Sequence, residues 1–503
     1  MKYSSKSIAT TFFQEVGTEI KGKRTVTIFQ CQCGAKRSQD LGKGYVNLLS
    51  HIKDCHKDWE QVMNSKTDQS SIMQFVDNQS STIFSWLEWV VMKNQPLEMV
   101  EDELTRNMAK WKSISVTSLK KYLYLVTEAV EIILKEELPE SFGIVFDGWT
   151  ERNRHYIAIF ASYFKDGVSK TPFLAIAPPF NEEDFSAASH KAFIGDVLDL
   201  FGKKISNLSF MVADNCSTNK SIARILDIPM IGCASHRFNL ACNLFLEEYE
   251  VQLNSINDLM VELRKLRKAG KLRKVTDLEP VKRNVTRWNS AHSMLKRFFQ
   301  LKPFLDDEDI DIALLIPSGS ELIKLQNLMN DLEILQPVTL KLQECSCTIL
   351  EVRRIFDYLL EKYPVMERYL SSNAAIIHSP DFESGLIKVQ DEAADENLTK
   401  AEKSALRRFK STEPILTETV APKINIVEQA LKKRKLNHST YVDTTFIPAT
   451  SNVVERLFSG ARLVLTDYRK SMTPYTFECL MFLKTNRNLW DLSLVAKLKN
   501  KAL

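Results

Sequence analysis

Two stretches decide the fold of this chain: FGIVFDGW (142–149) and ISNLSFMVADN (205–215). In each of them an apolar run leads into an aspartate. Both are rich in β-branched and aromatic residues and are bounded by turn signals, which is typical of buried strands. The segments around them alternate, with strand-like patterns at 155–164, 172–180 and 229–234 and helical patterns at 187–201 and 217–226. Strands interleaved with helices predict an α/β sheet covered by helices.

Helical patterns lie on both sides of this predicted sheet. Apolar residues recur at helical spacing over 83–137 and again from about 237 to 435, where 306–311 and 379–423 are polar and predicted to be rich in loops. Two more helices are predicted near the end of the chain, one from Asn452 and one from Pro474.

Composition excludes several classes of protein. No apolar run approaches the roughly 18 residues of a membrane span, and the first residues lack the apolar region of a secretory signal, so no membrane partner is expected. Nine scattered cysteines make a disulfide framework improbable.

The formal net charge of the 503-residue chain is only +4, but the basic residues are concentrated. Residues 1–60 contain ten Lys/Arg against six Asp/Glu, and 261–297 contain twelve against three. We call 261–297 the basic segment. This uneven distribution is typical of a surface that contacts a polyanion such as DNA.

Asp147 and Asp214 are candidate metal ligands because each follows a predicted strand. Open α/β sheets bind their ligands at the carboxyl ends of such strands. Two carboxylates there repel each other unless a divalent cation lies between them, and such a cation can promote phosphoryl transfer. The simpler alternative is that each aspartate caps the turn that follows it.

Glu455 is a third candidate, in the first turn of the helix predicted from Asn452. Val454, Leu457, Phe458 and Ala461 form an apolar stripe that would pack on the sheet, with Glu455 at its edge. The alternative is a first-turn glutamate that is favoured by the helix dipole.

Near the N-terminus, Cys31, Cys33 and His51 are followed by Cys55 and His56, either of which could complete a tetrahedral zinc site. The single residue between Cys31 and Cys33 requires a tight loop, and the alternative is a small domain whose thiols and imidazoles are merely buried. Lys36, Arg37 and Lys53 are suited to contact the DNA backbone. By contrast, Cys233 and His236 have no second Cys/His pair nearby, so no zinc is expected there.

Five motifs occur along the chain in this order: FDGWT (146–150), ADNCSTN (213–219), CASHRFNLACN (233–243), TRWNS (286–290) and SNVVERLFSGARLVLTDYR (451–469). Together they resemble hAT-superfamily DNA transposases, whose RNase H-like core is interrupted by a helical insertion. The resemblance covers about 140–490.

The resemblance implies roles for individual residues. Asp147, Asp214 and Glu455 match the three catalytic carboxylates, which would hold Mg²⁺ or Mn²⁺. Trp149 matches an aromatic that stacks on a base flipped from the DNA, and its alternative is a core or turn aromatic. Trp288 resembles a second aromatic near the DNA end, with the packing of a helix as its alternative.

Two further residues and the N-terminal ligands take roles from the same resemblance. Arg287 would contact a phosphate, and His236 would orient DNA or a catalytic group. The N-terminal cluster resembles a BED-type zinc finger, an alignment that favours His56 over Cys55 as the fourth ligand.

The expected fold is therefore an α/β RNase H-like core interrupted by a large all-α insertion and preceded by a small zinc finger and a helical block. The expected segments are a BED-type finger (1–63), a helical DNA-binding or dimerisation block (72–138), the first part of the core (139–243), the helical insertion (244–437) and the last core helices with the hAT C-terminal dimerisation region (438–503).

The expected function is cutting and joining of element-end DNA by two-metal-ion catalysis, as a homodimer or higher homo-oligomer. The retained carboxylates favour an enzyme, and the alternative is a domesticated, non-catalytic DNA-binding and dimerising transcription or chromatin factor. Localisation to the nucleus is expected, with LKKRKL (431–436) as a candidate import signal.

Overall fold

The computed structural model describes residues 5–21, 24–31, 33–40, 45–57, 59–60, 78–306, 308–391, 397–411, 440–466, 469 and 472–501. Over these described residues, the protein is a mixed α/β chain with two sheets. The candidate import signal at 431–436 lies outside the described residues.

The strands form one small sheet and one larger sheet. They are β1 (Phe13–Lys21), β2 (Arg24–Cys31), β3 (Lys36–Asp40), β4 (Phe142–Glu151), β5 (Arg154–Lys165), β6 (Val168–Lys170), β7 (Phe173–Ala177), β8 (Leu208–Ala213) and β9 (Met230–Gly232).

The α-helices make up most of the regular structure. They are α1 (Ser5–Phe12), α2 (Val46–Cys55), α3 (Asn78–Met92), α4 (Glu103–Ala109), α5 (Val116–Glu137), α6 (Ala187–Leu200), α7 (Ser217–Leu226), α8 (Ala234–Leu246), α9 (Glu250–Leu263), α10 (Leu266–Leu272), α11 (Trp288–Leu301), α12 (Ile310–Ala313), α13 (Gly319–Leu342), α14 (Ile349–Lys362), α15 (Glu367–Leu370), α16 (Pro380–Gln390), α17 (Lys400–Ala405), α18 (Asn452–Val464), α19 (Pro474–Thr485) and α20 (Leu492–Lys501).

The chain divides into two compact units, each made of several segments. One contains Met1–Glu88, Leu97–Tyr122 and Trp490–Leu503, and the other contains Trp89–Pro96 and Leu123–Leu489. The finer division into five segments stays a prediction.

The first unit contains the small sheet, an antiparallel meander in the order β1-β2-β3. Helices α1 and α2 pack against each other beside it, and their apolar side chains include Ile8, Phe12, Leu48 and Ile52, all fully buried. This small core holds α2 close to the turn that follows β2, which is where the cysteines lie.

The second unit contains the larger sheet, in the order β6-β5-β4-β8-β9, with β7 also paired to β5. Strands β4 and β5 are antiparallel, whereas β4-β8 and β8-β9 are parallel. Every residue of β8 is buried, as are the first five residues of β4, because helices cover the sheet. The interleaved strands and helices predicted from the apolar runs are observed.

The region predicted as loop-rich at 379–423 differs from that prediction, because α16 and α17 lie in its described part. Pro380 occupies the first turn of α16, where its missing N–H costs no hydrogen bond. Helix α17 is started by a capping box in which Thr399 and Glu402 bond each other's backbone N–H groups. Local capping therefore allows helices to form in a stretch that has few apolar residues.

Candidate functional site

The larger sheet places Asp147 and Asp214 at the same level on neighbouring strands. Val145 of β4 pairs with Val212 of β8 in parallel register, and each aspartate lies two residues further along. Neighbouring strands run about 4.8 Å apart, so the two half-buried side chains emerge together near the carboxyl end of β8.

Helix α18 brings Glu455 to the same edge. Its buried stripe of Val454, Leu457, Phe458 and Ala461 packs the helix against β4, and Glu455 lies in its first turn with an exposed side chain. The apolar stripe expected from the sequence is therefore the face that docks on the sheet.

The electrostatics of Asp147 show that the other two carboxylates act on it. Burial raises the pKa of Asp147 to about 7, and repulsion from Asp214 and then from Glu455 contributes to that rise. A hydrogen bond from the Gly148 backbone N–H to Asp147 Oδ1, at 2.8 Å, opposes it. We call Asp147, Asp214 and Glu455 the carboxylate site.

Asp214 also has the turn-capping role that the sequence left open. Its Oδ1 accepts hydrogen bonds from the Cys216 backbone N–H, at 3.2 Å, and from the Asn219 side-chain amide. These bonds fix the turn between β8 and α7. Sequence reasoning missed Asn219, although its position two residues into α7 lets its amide reach back to the end of the strand.

The three carboxylates of this site do not form a compact cluster of ligand atoms. Among the residues that the structure describes, one group of three or more ligating side chains has all its ligand atoms within 4.8 Å of one another, and these carboxylates are not that group.

Two polar residues of α18 that were not singled out from the sequence fix its position. Asn452 Nδ2 donates to the Leu342 backbone oxygen at 2.8 Å and to Ser235 Oγ at 2.9 Å. The Arg456 guanidinium donates to the Gln343 backbone oxygen at 2.9 Å and to the Cys345 sulfur at 3.0 Å. The start of α18, which contains Glu455, is thereby tied to the C-terminal end of α13.

The aromatic and basic residues expected to contact DNA lie in different surroundings. Trp149 is half-buried, with its ring stacked on Phe458 at 5.4 Å and 23°, and a second ring, Tyr156, at 5.8 Å. His236 is half-buried in the first turn of α8, and Arg287, just before α11, is exposed.

Trp288 was expected to be an aromatic that contacts DNA, and its position in the structure differs from that expectation. Its side chain is only 3% exposed, and the indole packs edge-on against Phe238 at 5.8 Å. A covered indole has no free face for a base, so this residue takes the helix-packing role.

The second site is the Cys/His cluster, which consists of Cys31, Cys33, His51 and His56. The ligand atoms of these four residues lie within 4.8 Å of one another. Cys31 Sγ is 3.1 Å from His56 Nε2, and Cys33 Sγ is 3.2 Å from His51 Nε2. Cys55 is exposed and outside this group, so the structure selects His56 as the fourth residue.

A tight turn accommodates the single residue between the two cysteines. Gly34 has a φ of 88°, which favours glycine, and its N–H donates to the Cys31 backbone oxygen, while the Cys31 N–H donates to the Ala35 oxygen. Helix α2 supplies His51 from its buried face, and His56 follows its last residue.

The protonation chemistry of the cluster suits a metal. A hydrogen bond from the Ala35 backbone N–H lowers the pKa of Cys33, and burial followed by the nearby Arg37 charge lowers the pKa of His51. Tetrahedral zinc, with bonds of about 2.3 Å to sulfur and about 2.0 Å to nitrogen, places such atoms roughly 3.5 Å apart, close to the spacing observed. The cluster could therefore bind a metal such as zinc.

Basic side chains beside the cluster are accessible. Lys36 and Lys53 are exposed, and Arg37 is half-buried, with its guanidinium 3.4 Å from His51 Nδ1.

The basic segment is less positive in three dimensions than in sequence. Lys268 is ion-paired with Glu262, Asp309 and Asp311, and Lys271 is paired with Asp306. Arg283 is paired with Glu250. Exposed cations remain at Arg267, Arg273, Lys274, Lys282, Arg287 and Lys296.

Compared with known proteins, the chain matches no family model and no curated protein. Within the described ranges, none of the helices has the length and apolar character needed to span a membrane.

Proposed function

We propose that this protein is a hAT-type DNA transposase whose carboxylate site cuts and joins phosphodiesters of element-end DNA. The observation that supports this most strongly is the meeting of three acids from distant parts of the chain: Asp147 in the second half of β4, Asp214 just after the neighbouring parallel strand β8, and Glu455 on a helix that follows a long helical region. That is the arrangement which the resemblance to an interrupted RNase H-like core implies.

The donor set fits hard divalent cations. Carboxylate oxygens are preferred ligands of Mg²⁺ and Mn²⁺, and Asp147 and Asp214 each retain one oxygen that does not bond the local backbone turn. When bound, a pair of cations supplies Lewis acidity to both the attacking and the leaving oxygen of an in-line displacement.

Residues around the carboxylate site have supporting parts in this proposal. Asn219 orients Asp214, while Asn452 and Arg456 hold the first turn of α18 and thereby position Glu455. Trp149 has its ring beside Phe458 and remains partly exposed, so it can offer an edge or a face to an extruded base.

The Cys/His cluster supports the DNA-binding part of the proposal as a BED-type zinc finger. Zinc on Cys31, Cys33, His51 and His56 would fix α2 against the small sheet and present Lys36, Arg37 and Lys53 to the phosphate backbone. We include a homodimer or larger homo-oligomer, and a nuclear site of action, in the proposal.

The experiment is cleavage of a labelled DNA duplex that carries the ends of the element, with purified full-length protein and Mg²⁺ or Mn²⁺. Strand nicking is expected to fall at least a thousandfold in each of Asp147→Asn, Asp214→Asn and Glu455→Gln, because each substitution removes a charged ligand. Glu182→Gln is the matched control, since Glu182 is a half-exposed acid paired with Arg154.

The second candidate function is a non-catalytic DNA-binding factor, favoured by the contrast between the converged cluster and the spread carboxylates. In that case the three acid variants bind DNA and cleave none of it, as does the wild type, whereas loss of Cys31 abolishes DNA binding. Nicking by the wild type alone excludes this candidate.

A further inference from the structure

A cleft at the other end of strand β8 collects basic side chains that have no part in the proposed reaction. It has a volume of about 490 Å³ and lies between α7, the start of α16, α17 and the turn after α17. Its basic members are Arg224, His378, Arg407 and Arg408, and its acidic members are Asp227 and Asp381.

The cleft is separate from the carboxylate site. Arg408 donates to the backbone oxygen of Leu208, the first residue of β8, whereas Asp214 follows the last residue of the same strand. Six residues at about 3.3 Å each separate the two ends by roughly 20 Å.

Two of the three guanidinium groups are unengaged. Arg408 is occupied, because it donates to the backbone oxygens of Leu208 and Asp227. Arg224 and Arg407 are exposed, and within the part of the chain that the structure describes neither has a hydrogen bond or an ion pair. Arg224 and Arg407 therefore border the cleft with guanidinium groups whose donors are available to a ligand, and the acidic residues among the described lining are Asp227 and Asp381.

The described lining of the cleft has a net positive charge, with three arginines against two aspartates. The pKa of His378 is lowered by burial and then by the charges of Arg224 and Lys220. The uncharged lining includes the small residues Ala223, Ala401, Ser404 and Ala405, together with Ile228 and Pro229. A volume of about 490 Å³ is large enough for a tetrahedral oxyanion.

We propose that this cleft binds a phosphate group through Arg224 and Arg407. Guanidinium groups match phosphate oxygens in charge and in the planar geometry of their donors, and they bind them through paired charge-assisted hydrogen bonds. The group belongs to either of two sources, the backbone of a DNA duplex or a free phosphate compound. The inference goes beyond the proposed function, because none of its residues belongs to the carboxylate site.

The test compares full-length wild type with the double variant Arg224→Ala/Arg407→Ala. Pyrophosphate binding is measured by calorimetry and duplex DNA binding by fluorescence anisotropy at a fixed salt concentration. Each lost guanidinium should weaken binding about tenfold, so the double variant should bind the true source about a hundredfold more weakly. Arg354→Ala is the matched control, because Arg354 is an exposed arginine paired with Asp391 outside the cleft.

The two probes distinguish the sources. Weakened binding of DNA assigns the cleft to the duplex backbone, and weakened binding of pyrophosphate alone assigns it to a free phosphate compound. Unchanged affinity for both probes in a double variant that melts like the wild type overturns the proposal, as does an equal loss in Arg354→Ala. Both affinities are measured without divalent cations, so the outcome is independent of whether the carboxylate site cleaves DNA.

Discussion

The Cys/His cluster and the carboxylate site each collect metal-ligating side chains from separate elements, yet only the cluster has its ligand atoms within 4.8 Å of one another. Thiols and neutral imidazoles carry no net charge, and in the cluster they lie at hydrogen-bond distance from each other. In the carboxylate site, burial raises the pKa of Asp147 to about 7, and repulsion from Asp214 and Glu455 adds to that rise. A site of hard ligands is therefore recognised from where its acids lie on the fold.

The largest expected effect comes from removing metal from the cluster. The small core of the first unit contains few side chains, so its stability should depend on zinc, for which structural sites provide about 10–16 kcal/mol of apparent binding free energy. Cys31→Ser should lose the bound zinc and the hydrogen-exchange protection of β1 to α2. Cys55→Ser is the control and should retain both, because Cys55 is exposed and outside the cluster. Full zinc content in Cys31→Ser would contradict this account.

A smaller effect is expected at the carboxylate site, where a substitution should stabilise the fold instead of destabilising it. The pKa of Asp147 is about 7 in the folded protein and near 3.8 when unfolded, so the folded state binds the proton more tightly. Metal-free wild type should lose stability as the pH rises from about 4 to about 7. Asp147→Asn should therefore be more stable than wild type by about 2–4 kcal/mol at pH 8, and by less at pH 5.

Denaturant unfolding at both pH values, without divalent cations, measures this difference. Asp196→Asn, at an exposed aspartate of α6, is the control and should change little. If Asp147→Asn raises the free energy of unfolding by the same amount at both pH values, the charge of Asp147 does not destabilise the wild type.

A more modest loss is expected when the scaffold of the carboxylate site is weakened. Arg456→Ala removes the bonds from α18 to Gln343 and Cys345, and should lower the free energy of unfolding by about 1–2 kcal/mol. Because Glu455 is the preceding residue, Mn²⁺ affinity should fall too. Arg456→Lys keeps the charge without the fork of donors and should lie between the two proteins. Unchanged Mn²⁺ affinity in Arg456→Ala would show that α13 does not position Glu455.

The smallest effect is expected at the ion pair between Arg462 of α18 and Glu151 of β4. The two atoms are 3.3 Å apart, but the Arg462 side chain is 70% exposed, so solvent screens the pair. Arg462→Ala should cost less than about 1 kcal/mol in a denaturant titration. A loss of more than 2 kcal/mol would mean that this pair, rather than the buried stripe of α18, holds the helix on the sheet.

The sequence predicted the parts of the fold that depend on local pattern. The apolar runs that end at Asp147 and Asp214 are strands, and helices begin at Asn452 and Pro474 as expected. The stripe that docks α18 was also readable, because its spacing is that of one helix face.

The contacts that complete the site were not readable, because they join residues far apart in the chain. Arg456 reaches Gln343 and Cys345 across more than a hundred residues, and no local pattern marks that pairing. The partial neutralisation of the basic segment was unpredictable for the same reason. Its excess positive charge is offset by Asp306, Asp309 and Asp311, which lie outside the segment. The burial of Trp288 was not predictable either, because a tryptophan in a basic motif can be buried or exposed without any difference in the sequence around it.

Calorimetric titration of zinc-loaded full-length protein with Mn²⁺ at pH 8 measures whether Asp147, Asp214 and Glu455 together bind divalent cations. Saturable binding is expected for the wild type and for Glu182→Gln. At least tenfold weaker binding is expected in each of Asp147→Asn, Asp214→Asn and Glu455→Gln. Equal binding by all five proteins, or no binding by the wild type, would contradict the binding of divalent cations by these three acids.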